Sequence, residues 1–94
     1  MDMKTAHYFI AIAEEKSISK AAKRLYLSQP TLSSYLRKLE SSVGTPLFYR
    51  DKTLSLTPAG EVYLKGVRKI VAINNKMYRE IEDICANERA LFSV

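Results

Sequence analysis

The stretch from Ser17 to Phe48, SISKAAKRLYLSQPTLSSYLRKLESSVGTPLF, constrains the fold more than any other part of the chain. It reads as two short amphipathic helices joined by a tight turn. Ser17 is a good N-cap for the first, because its hydroxyl can accept from a backbone N–H that has no partner inside the helix. Ile18, Ala21, Ala22 and Leu25 form the inner face, and the adjacent alanines are small enough for a neighbouring helix to cross closely. Tyr26 and Leu27 make the turn, and Ser28 is the next N-cap. Gln29 and Pro30 occupy the first turn of the second helix, where proline removes no intrahelical hydrogen bond. Leu32, Leu36, Leu39 and Val43 recur along one helical face and define its buried side. Gly44 supplies a left-handed cap, and Pro46 stops the helix from resuming.

Ahead of this pair, a helix from about Lys4 to Lys16 is predicted by a stripe of Ala6, Phe9, Ile10 and Ala13, with Ile12 beside it. Behind it the period changes. Leu47-Phe48-Tyr49 and Leu54-Ser55-Leu56 read as two short strands around a polar tip, Asp51-Lys52-Thr53, which makes a wing-like hairpin. Thr57 caps a last helix, with Pro58 at its first position. That helix runs from Pro58 to about Asn87, some 45 Å at about 1.5 Å per residue. Tyr63, Val67, Ile70, Asn74, Met77, Ile81 and Ile84 follow one another at alternating steps of four and three, a heptad seam, and Leu64, Val71, Tyr78 and Cys85 widen it on one side. A domain of about 57 residues cannot cover such a seam by itself, so a second copy or a further domain must do so. The last five residues, ALFSV, read as strand-like and as the start of something longer.

Charge is distributed unevenly. Between Lys16 and Leu39 lie six bases (Lys16, Lys20, Lys23, Arg24, Arg37, Lys38) and no acid, while Glu14, Glu15 and Glu40 flank the run. Such a field attracts phosphate backbones or acidic lipid surfaces, unless it is only a solvated helix face. No apolar run approaches the roughly 20 residues of a membrane span, and MDMKTAHYF lacks the charged and apolar regions of a signal peptide. The single cysteine, Cys85, excludes an internal disulfide and fits a reducing cytoplasm. With His7 and Cys85 as the only soft ligands, neither a metal site nor a cofactor is expected. No nucleophile–base pair or phosphate-cradling glycine loop points to an enzyme. The remaining alternatives are a nucleic-acid reader and a protein-interaction module whose basic face is incidental.

The order of these signals resembles a known family. The residues that carry the likeness are Phe9-Ile10-Ala11-Ile12-Ala13-Glu14, Ser17, Ala21-Ala22, Leu25, Leu27-Ser28-Gln29-Pro30, Leu32-Ser33, Leu39-Glu40, Gly44, Pro46-Leu47-Phe48, Arg50 and Leu56-Thr57-Pro58-Ala59-Gly60. In this order and spacing they resemble the N-terminal DNA-binding region of LysR-type transcriptional regulators, over about residues 1–60 as motifs and 61–88 as pattern. The resemblance implies a mainly α fold: a winged helix-turn-helix of three helices plus a two-stranded wing, followed by a long dimerisation helix. It divides the chain into a DNA-binding domain at 1–57 (helix-turn-helix about 18–37, wing about 47–57), a linker helix at 58–88, and at 89–94 the start of an effector domain. It implies a bacterial, cytoplasmic, homodimeric transcription factor on interrupted inverted repeats of double-stranded DNA, with a tetramer open to the full-length protein. A small-molecule effector is expected only for that further domain. The chain departs from the common pattern in carrying Ser34 where many members are basic, and in a wing tip about one residue shorter and without glycine.

In helix-turn-helix proteins the second helix of the motif enters the major groove, with its N-terminal part at the base edges. Base contacts are therefore expected from Gln29, Pro30, Ser33 and Ser34. The Gln29 amide can pair with adenine N6 and N7, whereas the serines suit several bases. Otherwise Gln29 is simply a solvated first-turn residue. Lys20, Lys23, Ser28, Thr31, Arg37 and Lys38 are expected at phosphates and sugar, and Arg50, Lys52 and Thr53 at the DNA beside the wing. Tyr35 either packs or reaches a phosphate. Arg24 suits a surface ion pair, and His7 a surface or interface position. The dimer is expected through Tyr63, Val67, Ile70, Asn74, Met77, Ile81 and Ile84. Asn74 fixes register if the coiled coil is parallel, although the resemblance favours antiparallel packing; alternatively the seam bends outward there.

Overall fold

The computed structural model describes residues 2–92. Four helices and one hairpin follow in the order α1 (Met3–Glu15), α2 (Ile18–Leu25), α3 (Gln29–Val43), β1 (Phe48–Arg50), β2 (Leu54–Leu56) and α4 (Pro58–Phe92). Each boundary has a local chemical cause. Asp2, Ser17 and Ser28 cap the first three helices by accepting from the N–H of Lys4, Lys20 and Thr31 respectively. Lys16, Tyr26 and Gly44 close them in the left-handed region, at φ of 54°, 58° and 92°. Only the third is glycine, so two bulky residues hold a conformation that costs an L-residue roughly 1–2 kcal/mol. Their cap N–H groups recover hydrogen bonds to Ile12, and to Ala22 and Lys23.

The core lies where α1, α2 and α3 meet the wing. Phe9, Ala11, Ile12, Ala21, Ala22, Leu32, Leu36, Leu47 and Phe48 form it, with Tyr63 and Leu64 of α4 packed against it. The Phe9 ring meets Tyr63 edge-on at 4.6 Å and Phe48 at 5.3 Å. β1 and β2 pair antiparallel in the register Phe48↔Leu56, Tyr49↔Ser55 and Arg50↔Leu54. The hairpin is tied to α1 by the Leu54 N–H, which donates to the Lys16 carbonyl at 3.3 Å. Thr57 joins hairpin to α4. Its hydroxyl donates to the Pro46 carbonyl at 2.8 Å and accepts from the Gly60 N–H at 3.0 Å. Gly60 is required by close approach, since a Cβ there would lie 2.0 Å from the Leu47 carbonyl oxygen.

Four expectations change. Ala11 is fully buried although the apolar stripe assigned to α1 omitted it; α1 is contacted by α2, α4 and β2, so more than one of its sides is covered. Val43 is 45% exposed. It keeps the angle of the Leu32 face but sits about 16 Å further along the helix. β1 begins at Phe48, leaving Leu47 as a core residue ahead of the strand. Finally, Ala90, Leu91 and Phe92 are helical rather than strand-like, so α4 spans 35 residues instead of stopping near Asn87. Glu88, Arg89, Ala90 and Leu91 all favour helix, and three apolar residues without a partner strand do not outweigh that. Ser93 and Val94 of the strand-like tail fall outside the described residues.

Candidate nucleic-acid interface

α3 presents a two-sided surface. Leu32 and Leu36 are wholly buried, so the opposite side must face outward. On it Pro30, Thr31, Arg37 and Lys38 are exposed and Ser34 is half-buried; Gln29, at the entering end of the helix, is exposed, and Ser33, half-buried, flanks this side. Ser34 lies on a shallow groove between α1 and α3 that also takes in Thr5, Tyr8, Pro30, Thr31, Tyr35 and Lys38. Ser28 Oγ accepts from the Thr31 N–H at 3.2 Å and shares a hydrogen bond with Thr31 Oγ1 at 2.7 Å, so the cap orients both hydroxyls at the entering end of the helix. On α2, Lys20 and Lys23 are exposed.

Ion pairing sorts the cations. Arg24 binds Glu14 at 2.8 Å and Glu15 at 3.2 Å, and Arg68 reaches Glu14 at 3.4 Å, which ties α1, α2 and α4 together at the surface. Arg50 binds Glu40 at 2.6 Å. Among the described residues, no ion pair involves Lys20, Lys23, Arg37, Lys38 or Lys52, so their charge is available to a partner. The surface pairing expected of Arg24 is what the structure has.

Tyr35 is a packing residue. Its hydroxyl donates to the Thr5 carbonyl at 2.9 Å and its ring stands edge-on to Tyr8 at 5.4 Å. Burial, with Tyr63 adding to it, pushes the phenol far above its ordinary range, which keeps the hydroxyl a donor. His7 is exposed.

Sequence reasoning gave Glu40 no role beyond its place in the motif. One of its carboxylate oxygens accepts from the Leu47 N–H at 2.6 Å and the Phe48 N–H at 3.3 Å; the other accepts from Arg50 Nη2 at 2.6 Å. Arg50 Nη1 completes a fork on the first oxygen at 3.4 Å. Burial pushes the Glu40 carboxyl up, but the Arg50 hydrogen bond, the Leu47 and Phe48 N–H groups and the Arg50 charge together outweigh it and leave the carboxyl below its ordinary range. The available signal was an acid facing a base across a Gly-Thr-Pro turn, ten residues apart. Arg50, expected on the DNA, is thus engaged by α3, and at the wing tip Lys52 and Thr53 are exposed.

Along α4 the seven seam positions divide. Val67 is 1% exposed within its own chain, and Tyr63 packs on Phe9. Asn74 is half-buried, and Ile70, Met77, Ile81 and Ile84 are exposed. Ile73, absent from the predicted seam, is 69% exposed beside them. Among the described residues, no helix is long and apolar enough to cross a membrane, and no group of three or more His, Cys, Asp or Glu could hold a metal ion.

Three helices, an antiparallel wing and a long projecting helix define a winged helix-turn-helix module. The family described as "Bacterial regulatory helix-turn-helix protein, lysR family" matches residues 3–61, and the chain belongs to it. That family consists of transcriptional regulators rather than enzymes. Over 76 residues the chain is 42% identical to the HTH-type transcriptional regulator BudR of Klebsiella aerogenes, covering 80% of this chain and 53% of BudR. It is 39% identical over 88 residues to XapR of Escherichia coli K12, covering 93% of this chain and 30% of XapR. The chain therefore spans about half of the one relative and under a third of the other. Among solved structures, the BenM_DBD/benA site 1 DNA complex matches with a TM-score of 0.85 at 30% identity, over 90% of this chain and 97% of that one. The CbnR_DBD–DNA complex matches with a TM-score of 0.81 at 31% identity, over 90% and 99%.

Proposed function

We propose that this chain reads double-stranded DNA sequence-specifically, as a homodimer on an interrupted inverted repeat, and serves a cytoplasmic transcription regulator. The observation that carries this reading is the outward face of α3 and α2. Lys20, Lys23, Arg37 and Lys38, in no ion pair among the described residues, lie on the same two helices as the exposed Gln29 and Pro30 and the half-buried Ser33 and Ser34. Cations with no ion-pair partner among the described residues are suited to phosphates, and the neutral hydrogen-bonding groups between them to base edges. Ser28 and Thr31 border this surface on the phosphate side, and Lys52 and Thr53 extend it at the wing. The BenM_DBD and CbnR_DBD structures of the same fold are DNA complexes, which supports the assignment. A small-molecule effector belongs, on this reading, to the part of the longer relatives that the chain does not span.

The dimer rests on α4. Ile70 and Ile84 lie seven residues either side of Met77, and Ile73 and Ile81 four either side, so the bare apolar stripe is symmetric about Met77. An antiparallel two-fold pairing sets Met77 against its own copy and each isoleucine against another, as an isologous interface requires. Asn74 then faces Glu80 of the second copy at the rim, where it fixes no parallel register.

The test is binding to a duplex selected from a random library, measured against unselected competitor at rising salt. Preference for the selected duplex, and an affinity falling about a thousandfold between 50 and 200 mM salt, is expected for six or more neutralised phosphates. Equally weak binding to every duplex at low salt would overturn the reading.

A further inference from the structure

We propose that Glu40 is the positioning residue of the wing: it holds Arg50 off the DNA and fixes the hairpin against α3, so that Lys52 alone supplies the wing's phosphate charge. This rests on the DNA-reading assignment above and goes further, because it gives the wing a control point outside the contact surface. The wing by itself has little to fix its angle. It pairs over three residues a side, and a two-stranded ribbon of that length is not stable alone. Glu40 supplies what the ribbon lacks. It leaves α3 at the end opposite Gln29, crosses the turn at Gly44, and takes hydrogen bonds from the backbone at Leu47 and Phe48, the point at which the chain enters β1. Because the same carboxylate binds the Arg50 guanidinium through both nitrogens, the far end of β1 is held by the group that holds its start. A forked carboxylate–guanidinium pair of this kind restricts direction as well as distance.

The arrangement also settles how charge is divided. The Glu40 side chain is 12% exposed and the Arg50 side chain 46%. Moving Arg50 to a phosphate would leave a largely enclosed carboxylate without its main counter-charge, which disfavours the exchange. Lys52, two residues further on at the tip, is exposed and takes part in no ion pair among the described residues. The two wing cations therefore have different roles: one orients the wing, the other makes the contact.

Salt dependence and coupling distinguish these roles. The probe is a duplex selected from a random library on the unmodified protein, titrated from 50 to 200 mM NaCl. Lys52→Ala is expected to weaken binding several-fold and to lower the slope of log affinity against log salt by about one, as loss of one phosphate contact does. Arg50→Gln leaves Glu40 its bonds to Leu47 and Phe48; it is expected to weaken binding with the slope unchanged. Glu40→Gln keeps an acceptor for Leu47 but turns an amide toward the guanidinium. In that background Lys52→Ala is expected to cost less than about twofold. A slope lowered by one in Arg50→Gln, or an equal Lys52→Ala loss in both backgrounds, overturns the proposal while leaving the DNA-reading assignment intact. Thermal melts of each variant show whether the protein is folded at the titration temperature. If Glu40→Gln is not, the slope of Arg50→Gln decides alone. Failure of the unmodified protein to prefer any duplex overturns both.

Discussion

At Glu40, burial and hydrogen bonding act in opposite directions on one carboxyl, and bonding prevails. The consequence is a pH dependence with a definite sign. A carboxyl whose folded value lies below its unfolded one contributes stability that is complete above the unfolded value and is lost as pH falls through the folded one. The melting temperature is therefore expected to fall as pH drops from the ordinary value of 4.5 downward, and to fall less in Glu40→Gln. Equal slopes in melts at stepped pH would contradict this. The α3 surface makes a second prediction at the same scale. Gln29→Ala should cost about 1–3 kcal/mol at one base position and relax the preference there. Lys38→Ala should weaken all duplexes alike and lower the salt slope by about one. A panel of single-base variants of the selected duplex separates the two outcomes; a uniform loss in Gln29→Ala would remove it from the base-reading set.

Among the elements, the junction between hairpin and α4 holds the parts in place. Thr57 bonds forward to Gly60 and back to Pro46, and the bare Gly60 lets the first turn of α4 lie on the Leu47 carbonyl. Gly60→Ala puts a methyl group into that carbonyl, and the backbone must shift to admit it. Destabilisation of about 1–3 kcal/mol is expected from such overpacking, read by urea denaturation. A loss under about 0.5 kcal/mol, the range of an ordinary surface change, would mean that the junction yields easily.

The molecule as a whole is elongated. Its radius of gyration is 17.4 Å with extents of 61 × 25 × 19 Å, against about 12 Å for a compact chain of this length. The difference is α4, whose first three turns pack on the domain and whose remainder projects with isoleucines and Met77 uncovered. Dimerisation through that stripe is the expected outcome. The protein should sediment as a dimer at about 10 μM, and Met77→Asp should give a folded monomer. Its binding to a two-half-site duplex should fall at least about a hundredfold, because the second contact is no longer intramolecular. A Met77→Asp variant that remains dimeric would move the interface elsewhere.

Much of this architecture was legible in short-range chemistry. Ser17, Ser28 and Thr57 mark helix starts because a hydroxyl at an N-cap satisfies an orphan N–H whatever lies around it, and Gly44 marks an end because a left-handed cap suits it. The periods of Leu32–Leu36 and of the α4 seam follow from helix geometry alone. What the sequence left undetermined depended on which surfaces meet. Ala11 is buried on a helix that α2, α4 and β2 all contact, Val43 at the far end of α3 is left 45% exposed, and Val67 is occupied inside its own chain while Ile73 is free. The pairing of Glu40 with Arg50 belongs to the same class. Ten residues and a turn separate them, and local periodicity carries no information across a turn. Only the folded backbone, bringing the end of α3 beside the start of the wing, decides that this arginine serves the protein's own shape.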